Sequence, residues 1–251
     1  MFNHYFDQDG VYIKNLSNTG DHYGIGQYRF PHNYELVGKQ FTIYDGDEKH
    51  HLNFLRKDYM ELDGKGREFE SLKLEATTYF VRLGFDVAVV DLDQGLITLI
   101  QKDKYFYGKI EGQYVDGAEH KDAGDEMVGT GVAWVLGCGR YVKHEYFEEG
   151  KCRVSWAPID EAKNEHLCKA TKIKGPLFLV DIKGWVPYNT CAPILTERVI
   201  MLQDYDHMMT VGCVMGGGMT PIMISGYARF LDEENLVRIP GGAVISLDSE
   251  E

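Results

Sequence analysis

The residues best placed for chemistry lie in Tyr141-Val142-Lys143-His144-Glu145-Tyr146. On a strand, alternate side chains share a face, so Val142, His144 and Tyr146 form one set and Tyr141, Lys143 and Glu145 the other. The set that contains the apolar valine is expected to point inward. It places an imidazole beside a phenol, a pair that can exchange a proton near neutral pH and orient an oxygen. In the next strand Cys152, Val154 and Trp156 alternate with Lys151, Arg153 and Ser155. Arg153 either faces solvent with Lys151 or faces a cavity, where its guanidinium would clamp a carboxylate through a bidentate fork. Asp181 interrupts the apolar run Leu177 to Ile182 and shares a parity with Leu177 and Leu179. If that face is interior, the carboxylate needs a base or ligand as partner; if it is exterior, Asp181 is an ordinary surface group. Trp185 and Tyr188 follow at what would be a barrel mouth, and Tyr227 sits between Gly226 and Ala228. Tyr44, Tyr79 and Arg82 form a comparable set in the first half, although Tyr79 with Val81 also suits core packing.

Other chemistries find little support. His50 and His51 are adjacent, so on a strand they point to opposite faces and cannot share one ion, and no metal is expected. There is no nucleophile elbow and no Gly-x-Gly-x-x-Gly after a strand. Gly216-Gly217-Gly218 lacks the Lys-Ser/Thr pair of a phosphate loop and reads as a hairpin or bulge. No cofactor is expected. A formal net charge of −13 opposes binding to nucleic acid or an anionic membrane, because that affinity comes from lysine and arginine. The N-terminus shows no basic-then-apolar leader and no stretch approaches the ~18 apolar residues of a membrane span. The five cysteines are odd in number and widely spread, which suggests reduced thiols and a cytoplasmic protein.

The elements that must position these groups are short strands. Runs of Val, Ile, Phe, Tyr and Thr alternate with the turns Asp45-Gly46, Asp63-Gly64, Asp93-Gln94-Gly95 and Glu111-Gly112, while helical spacing is nearly absent. The fold class is therefore all-β. The chain also tells its story twice. Val37-Gly38 opens a series that ends in Val89-Val90-Asp91-Leu92-Asp93 and Thr98, and Val128-Gly129 opens a second that ends in Leu202-Gln203-Asp204-Tyr205-Asp206 and Thr210. This predicts two tandem antiparallel barrels, over 36–116 and 126–246. Residues 1–35 are an irregular lead-in, 117–125 a polar linker and 247–251 an acidic tail.

Gly38, Phe41, Asp45 and Gly46, then Tyr79 and Val81, then Val89, Asp91, Gly95 and Thr98 resemble the N-terminal unit of the MoaF-like proteins. Val128-Gly129, the His144-x-Tyr146 strand, the strand ending in Trp156, Thr210-Val211-Gly212 and Gly226-Tyr227-Ala228 resemble its C-terminal unit. The resemblance implies lipocalin-like (calycin) barrels with an interior site, distantly similar to the phenolic acid decarboxylases, whose paired tyrosines and arginine Tyr44, Tyr79 and Arg82 resemble. It also implies an association with molybdenum cofactor metabolism. The expected function is a cofactor-independent acid–base lyase or isomerase. It would act on a small organic substrate inside the barrel, with aromatic and carboxylate-bearing compounds as candidates, and with His144, Tyr146, Asp181 and Arg153 catalytic and Trp156, Trp185, Tyr188, Tyr227, Tyr44, Tyr79 and Arg82 binding. The rival is a non-catalytic carrier of a small ligand. A third reading makes the first barrel a filled structural unit and a homodimer surface.

Overall fold

The computed structural model describes residues 30–137, 140–157, 164–184, 197–216, 219–229, 236–238 and 244–246, and over these the chain is all β, without a helix. No helix among them is long and apolar enough to cross a membrane. Two compact units meet in the chain between Lys121 and Asp122, within the polar stretch 117–125.

The first unit is a closed antiparallel barrel of eight strands: β1 (Gln40–Asp45), β2 (Glu48–Arg56), β3 (Tyr59–Leu62), β4 (Lys65–Lys73), β5 (Thr78–Leu83), β6 (Asp86–Asp91), β7 (Leu96–Gln101) and β8 (Lys104–Ile110). Ile43↔Ile110 closes the ring between β1 and β8. One parity of each strand supplies the interior, including Ile43, Leu52, Phe54, Phe69, Val81, Leu99 and Phe106. Phe54 meets Phe41 and Phe69 edge-on, at centroid distances of 6.1 and 5.1 Å. Aromatic edge-to-face packing of this kind fills an eight-stranded barrel with side chains.

After the two-residue strand β9 (Lys121–Asp122), the second unit repeats the plan with β10 (Gly131–Gly137), β11 (Arg140–Glu148), β12 (Lys151–Ala157), β13 (Asn164–Lys174), β14 (Leu177–Lys183), β15 (Arg198–Asp204), β16 (Met209–Gly216) and β17 (Met219–Arg229). Strand β10 pairs with both β11 and β17, so these eight also close into a barrel. The hairpin β18 (Leu236–Arg238) and β19 (Val244–Ser246) is appended to β10 through Gly131↔Arg238.

The two barrels match bond for bond where each begins. Glu35-Leu36-Val37-Gly38 and Glu126-Met127-Val128-Gly129 form the same cap. The Gly38 N–H donates to the Phe54 carbonyl (2.7 Å) and the Phe54 N–H to that of Lys39 (3.0 Å); Gly129, Tyr146 and Thr130 repeat this at 2.7 and 2.9 Å. Gly38 and Gly129 have φ of +82° and +87°, a left-handed conformation that favours glycine. Leu36 and Met127 are buried as plugs, and Glu35 and Glu126 form ion pairs with Lys73 and Lys172. The Asp-x-Asp turns also correspond. Asp91 and Asp204 are wholly buried, and one carboxylate oxygen of each accepts the N–H two residues on, at 3.2 and 2.9 Å. Asn33 belongs to the first cap as well, exchanging hydrogen bonds with Ser71.

Candidate functional site in the second barrel

Clear alternation on β11 turns Val142, His144 and Tyr146 into the second barrel, where all three are buried, while Lys143 and Glu145 pair with each other outside. Strand β15 reaches the same place from across the ring. Its inward residues are Val199, Met201 and Gln203, followed by Tyr205 in the turn. The Gln203 amide is the hub. Its Oε1 accepts the hydroxyls of Tyr205 (2.8 Å) and Tyr146 (3.1 Å), and its Nε2 lies 3.2 Å from His144 Nδ1. The Tyr146 hydroxyl is also 3.2 Å from that nitrogen.

These contacts fix the proton pattern. An amide nitrogen only donates, so His144 Nδ1 accepts and the imidazole proton resides on Nε2. Burial, and second the repulsion it would feel from a protonated His166, push the His144 imidazole down to about 3, so the ring is neutral at physiological pH. Burial likewise pushes the phenols of Tyr146 and Tyr205 well above their ordinary value. The site is a set of uncharged, buried donors and acceptors. Trp134 stacks edge-on against Tyr205 at 5.8 Å, and Phe178 does so at 6.2 Å. A surface pocket of about 120 Å³ opens at the rim beside Tyr146, between Met127, Val128, Glu148, Gly150 and Cys168, and His144, Gln203 and Tyr205 do not line it. A larger groove of about 460 Å³ crosses the outer side of β1 to β3 past Thr42, His51 and Glu61, but it is open and encloses no buried polar group.

The other expected site residues do not join this network. Asp181 has the parity opposite to the core residues Phe178, Val180 and Ile182, so it points away from the barrel interior. Its buried carboxylate is held in a two-pronged ion pair by Arg198, at 2.7 and 2.6 Å. Arg153 is also outward. It binds Glu165 at 3.0 Å and lies over the Phe147 ring, which makes it a surface group rather than an anion clamp. Tyr227 is 44% exposed on the outer side of β17. Trp156 stands opposite Val142 on β12, but its side chain, like Trp185 and Tyr188, lies outside the described residues.

In the first barrel, Tyr79 is core; its hydroxyl donates to Glu35 at 2.6 Å and so fastens the cap. Tyr44 is half-buried on the outer parity of β1, and Arg82, on the outer parity of β5, faces Glu70 at 3.7 Å. Tyr44, Tyr79 and Arg82 therefore do not converge on one site.

Local pattern does not single out Gln203, Tyr205, Trp134 or His166. The repeat carries the missing signal. Register places His144 opposite Val132 just as Leu52 lies opposite Phe41, and Tyr146 takes the cap contact of Phe54. Aligning the two aspartate turns sets Gln203 over Val90 and Tyr205 over Leu92. The first barrel also contains a buried hydroxyl–imidazole–carboxylate row. His120 Nδ1 is 2.8 Å from Thr98 Oγ1, and Nε2 is 3.7 Å from Asp91 Oδ2. The second spacing exceeds a hydrogen bond and Thr98 and Asp91 have no exposed surface, so the row anchors His120 rather than presenting a nucleophile.

No protein-family model matches the chain, and no curated protein matches it.

Proposed function

We propose that the second barrel is the binding site for one small, uncharged organic molecule, with His144, Tyr146, Gln203 and Tyr205 as its polar wall. One observation carries this reading: the two barrels share a scaffold, yet the second has histidine, tyrosine, glutamine and tyrosine where the first has Leu52, Phe54, Val90 and Leu92. The first barrel closes with apolar residues at these positions, so the scaffold does not require polar ones. A buried network costs desolvation at every group, and a ligand that needs hydrogen-bonding partners explains its presence. The neutrality of all four side chains favours an uncharged ligand. An interior ligand site is also what the resemblance to MoaF-like and other calycin proteins implies.

The test is ligand-observed NMR with a panel of small uncharged alcohols, ketones and amides, using the wild type and a variant carrying His144→Leu, Tyr146→Phe and Gln203→Val. Binders should be lost from the variant. Equal binding to a folded variant would remove the reading.

A second reading, an acid–base isomerase or lyase, is favoured by one specific feature. The single Tyr146 phenol proton has two acceptors at nearly equal distance, Gln203 Oε1 at 3.1 Å and His144 Nδ1 at 3.2 Å. Relaying a proton along Tyr146 and His144 would relocate a hydrogen on a bound carbonyl compound without creating a lasting charge. Incubating each binder in D₂O separates the two readings. Recovery without deuterium or conversion makes the protein a carrier.

A further inference from the structure

Two more buried polar groups face the second barrel's interior, and both lack a partner among the described residues. Trp134 is wholly buried on β10, with the parity of Val132 and Leu136, and its indole Nε1–H has no acceptor. His166 is 8% exposed on β13, with the parity of Cys168 and Ala170, and its Nε2 has no partner. A buried tryptophan N–H normally finds an acceptor, so the Trp134 N–H is available to donate to a molecule held in the interior.

The two groups differ in sense. A ring nitrogen of His166 bonds to the Lys183 backbone carbonyl, and because Nε2 is unpartnered, that nitrogen is Nδ1, which must carry the proton. Burial lowers the His166 pKa and keeps the ring neutral, so Nε2 is a bare acceptor. Trp134 therefore donates and His166 accepts. They stand three strands apart in a ring of eight, so their side chains enter the same interior from separate walls. The corresponding residues of the first barrel are Ile43 and Arg67. Ile43 is apolar, and Arg67 is paired with Asp86.

Building on the binding reading above, we infer that the ligand is a neutral molecule carrying both an acceptor and a donor, as a lactam or other secondary amide does. Its carbonyl receives the Trp134 indole N–H and its N–H is given to His166 Nε2. A carboxylate is excluded because the groups facing it, His144, Tyr146, Gln203 and Tyr205, supply no cation.

The probes are ε-caprolactam, cyclohexanone, which accepts but cannot donate, and hexanoate, which is charged. The chain has three tryptophans, and Trp134→Phe identifies the Trp134 indole signal in ¹H–¹⁵N spectra of the full chain. We expect ε-caprolactam to shift that signal, cyclohexanone to bind about tenfold more weakly for the loss of one hydrogen bond, and hexanoate to leave the signal in place. His166→Leu should abolish the preference for the lactam over the ketone while the spectrum stays folded. Equal shifts from all three probes would overturn the inference, as would an unmoved Trp134 signal in a protein that still binds another member of the neutral panel. If no member of the panel binds, the underlying binding reading fails together with this one.

Discussion

Tyr146 stands in the second barrel where Phe54 stands in the first. Each receives the cap glycine's N–H on its carbonyl and gives its own N–H to the carbonyl of the residue after that glycine. The backbone roles are identical, and the side chains differ by one hydroxyl at the ring tip. That hydroxyl ties Tyr146 to Gln203 and, through it, to His144.

Gln203→Leu should be costly. It leaves the buried Tyr205 hydroxyl without its acceptor and only the Tyr146–His144 contact in place of the network, which predicts a loss of roughly 1–3 kcal/mol in urea unfolding. Replacing the whole set by its first-barrel counterparts, with His144→Leu, Tyr146→Phe, Gln203→Val and Tyr205→Leu, should be close to neutral or stabilising, because no orphan remains. A quadruple variant less stable than Gln203→Leu would show that the network is a requirement of the scaffold.

Stability should depend on pH through His144. Its imidazole is held down to about 3 in the fold against 6.5 as a free side chain, so the unfolded chain binds the proton first. The contribution is complete above about pH 6.5 and is lost as pH falls towards 3, at up to ~1.4 kcal/mol per pH unit. Burial lowers His166 in the same direction. Unfolding midpoints at pH 7.5 and 5 should differ less in His144→Gln than in the wild type.

Arg198→Ala should destabilise the second barrel by about 3–5 kcal/mol, since it removes a two-pronged partner from the buried Asp181 carboxylate. Affinity for any interior ligand should be unchanged in the folded fraction. A selective loss of affinity would return Asp181 to the site.

Glu35 is pulled down to about 2, first by its hydrogen bond from Lys73 and then by that from Tyr79. The cap it fastens should therefore hold above about pH 4.5 and loosen only as pH falls towards 2. In Glu35→Gln, amide exchange at Gly38 and Phe54 should accelerate several-fold at neutral pH, while exchange at Gly129 and Tyr146 should not.

Gly226→Ala should lower stability by about 1–3 kcal/mol or more, because an added Cβ would lie 2.2 Å from the Val135 carbonyl oxygen. Calorimetry of this variant checks how closely β17 approaches β10.

Alternation on β11 and the repeated Asp-x-Asp turns are local properties, so the sequence by itself determined the strands, the two barrels and the shared facing of His144 and Tyr146. A strand with one wet and one dry face declares its parity. Strand β14 does not, because Leu177 to Ile182 is buried on both faces, and the orientation of Asp181 was therefore unreadable until register tied Phe178, Val180 and Ile182 to the core. The partnership of Gln203 with His144 spans 59 residues and exists only because β10 closes the ring with β11 and β17. Ring closure and register are non-local. They decided which polar residues meet inside the second barrel, and that the matching positions of the first are apolar.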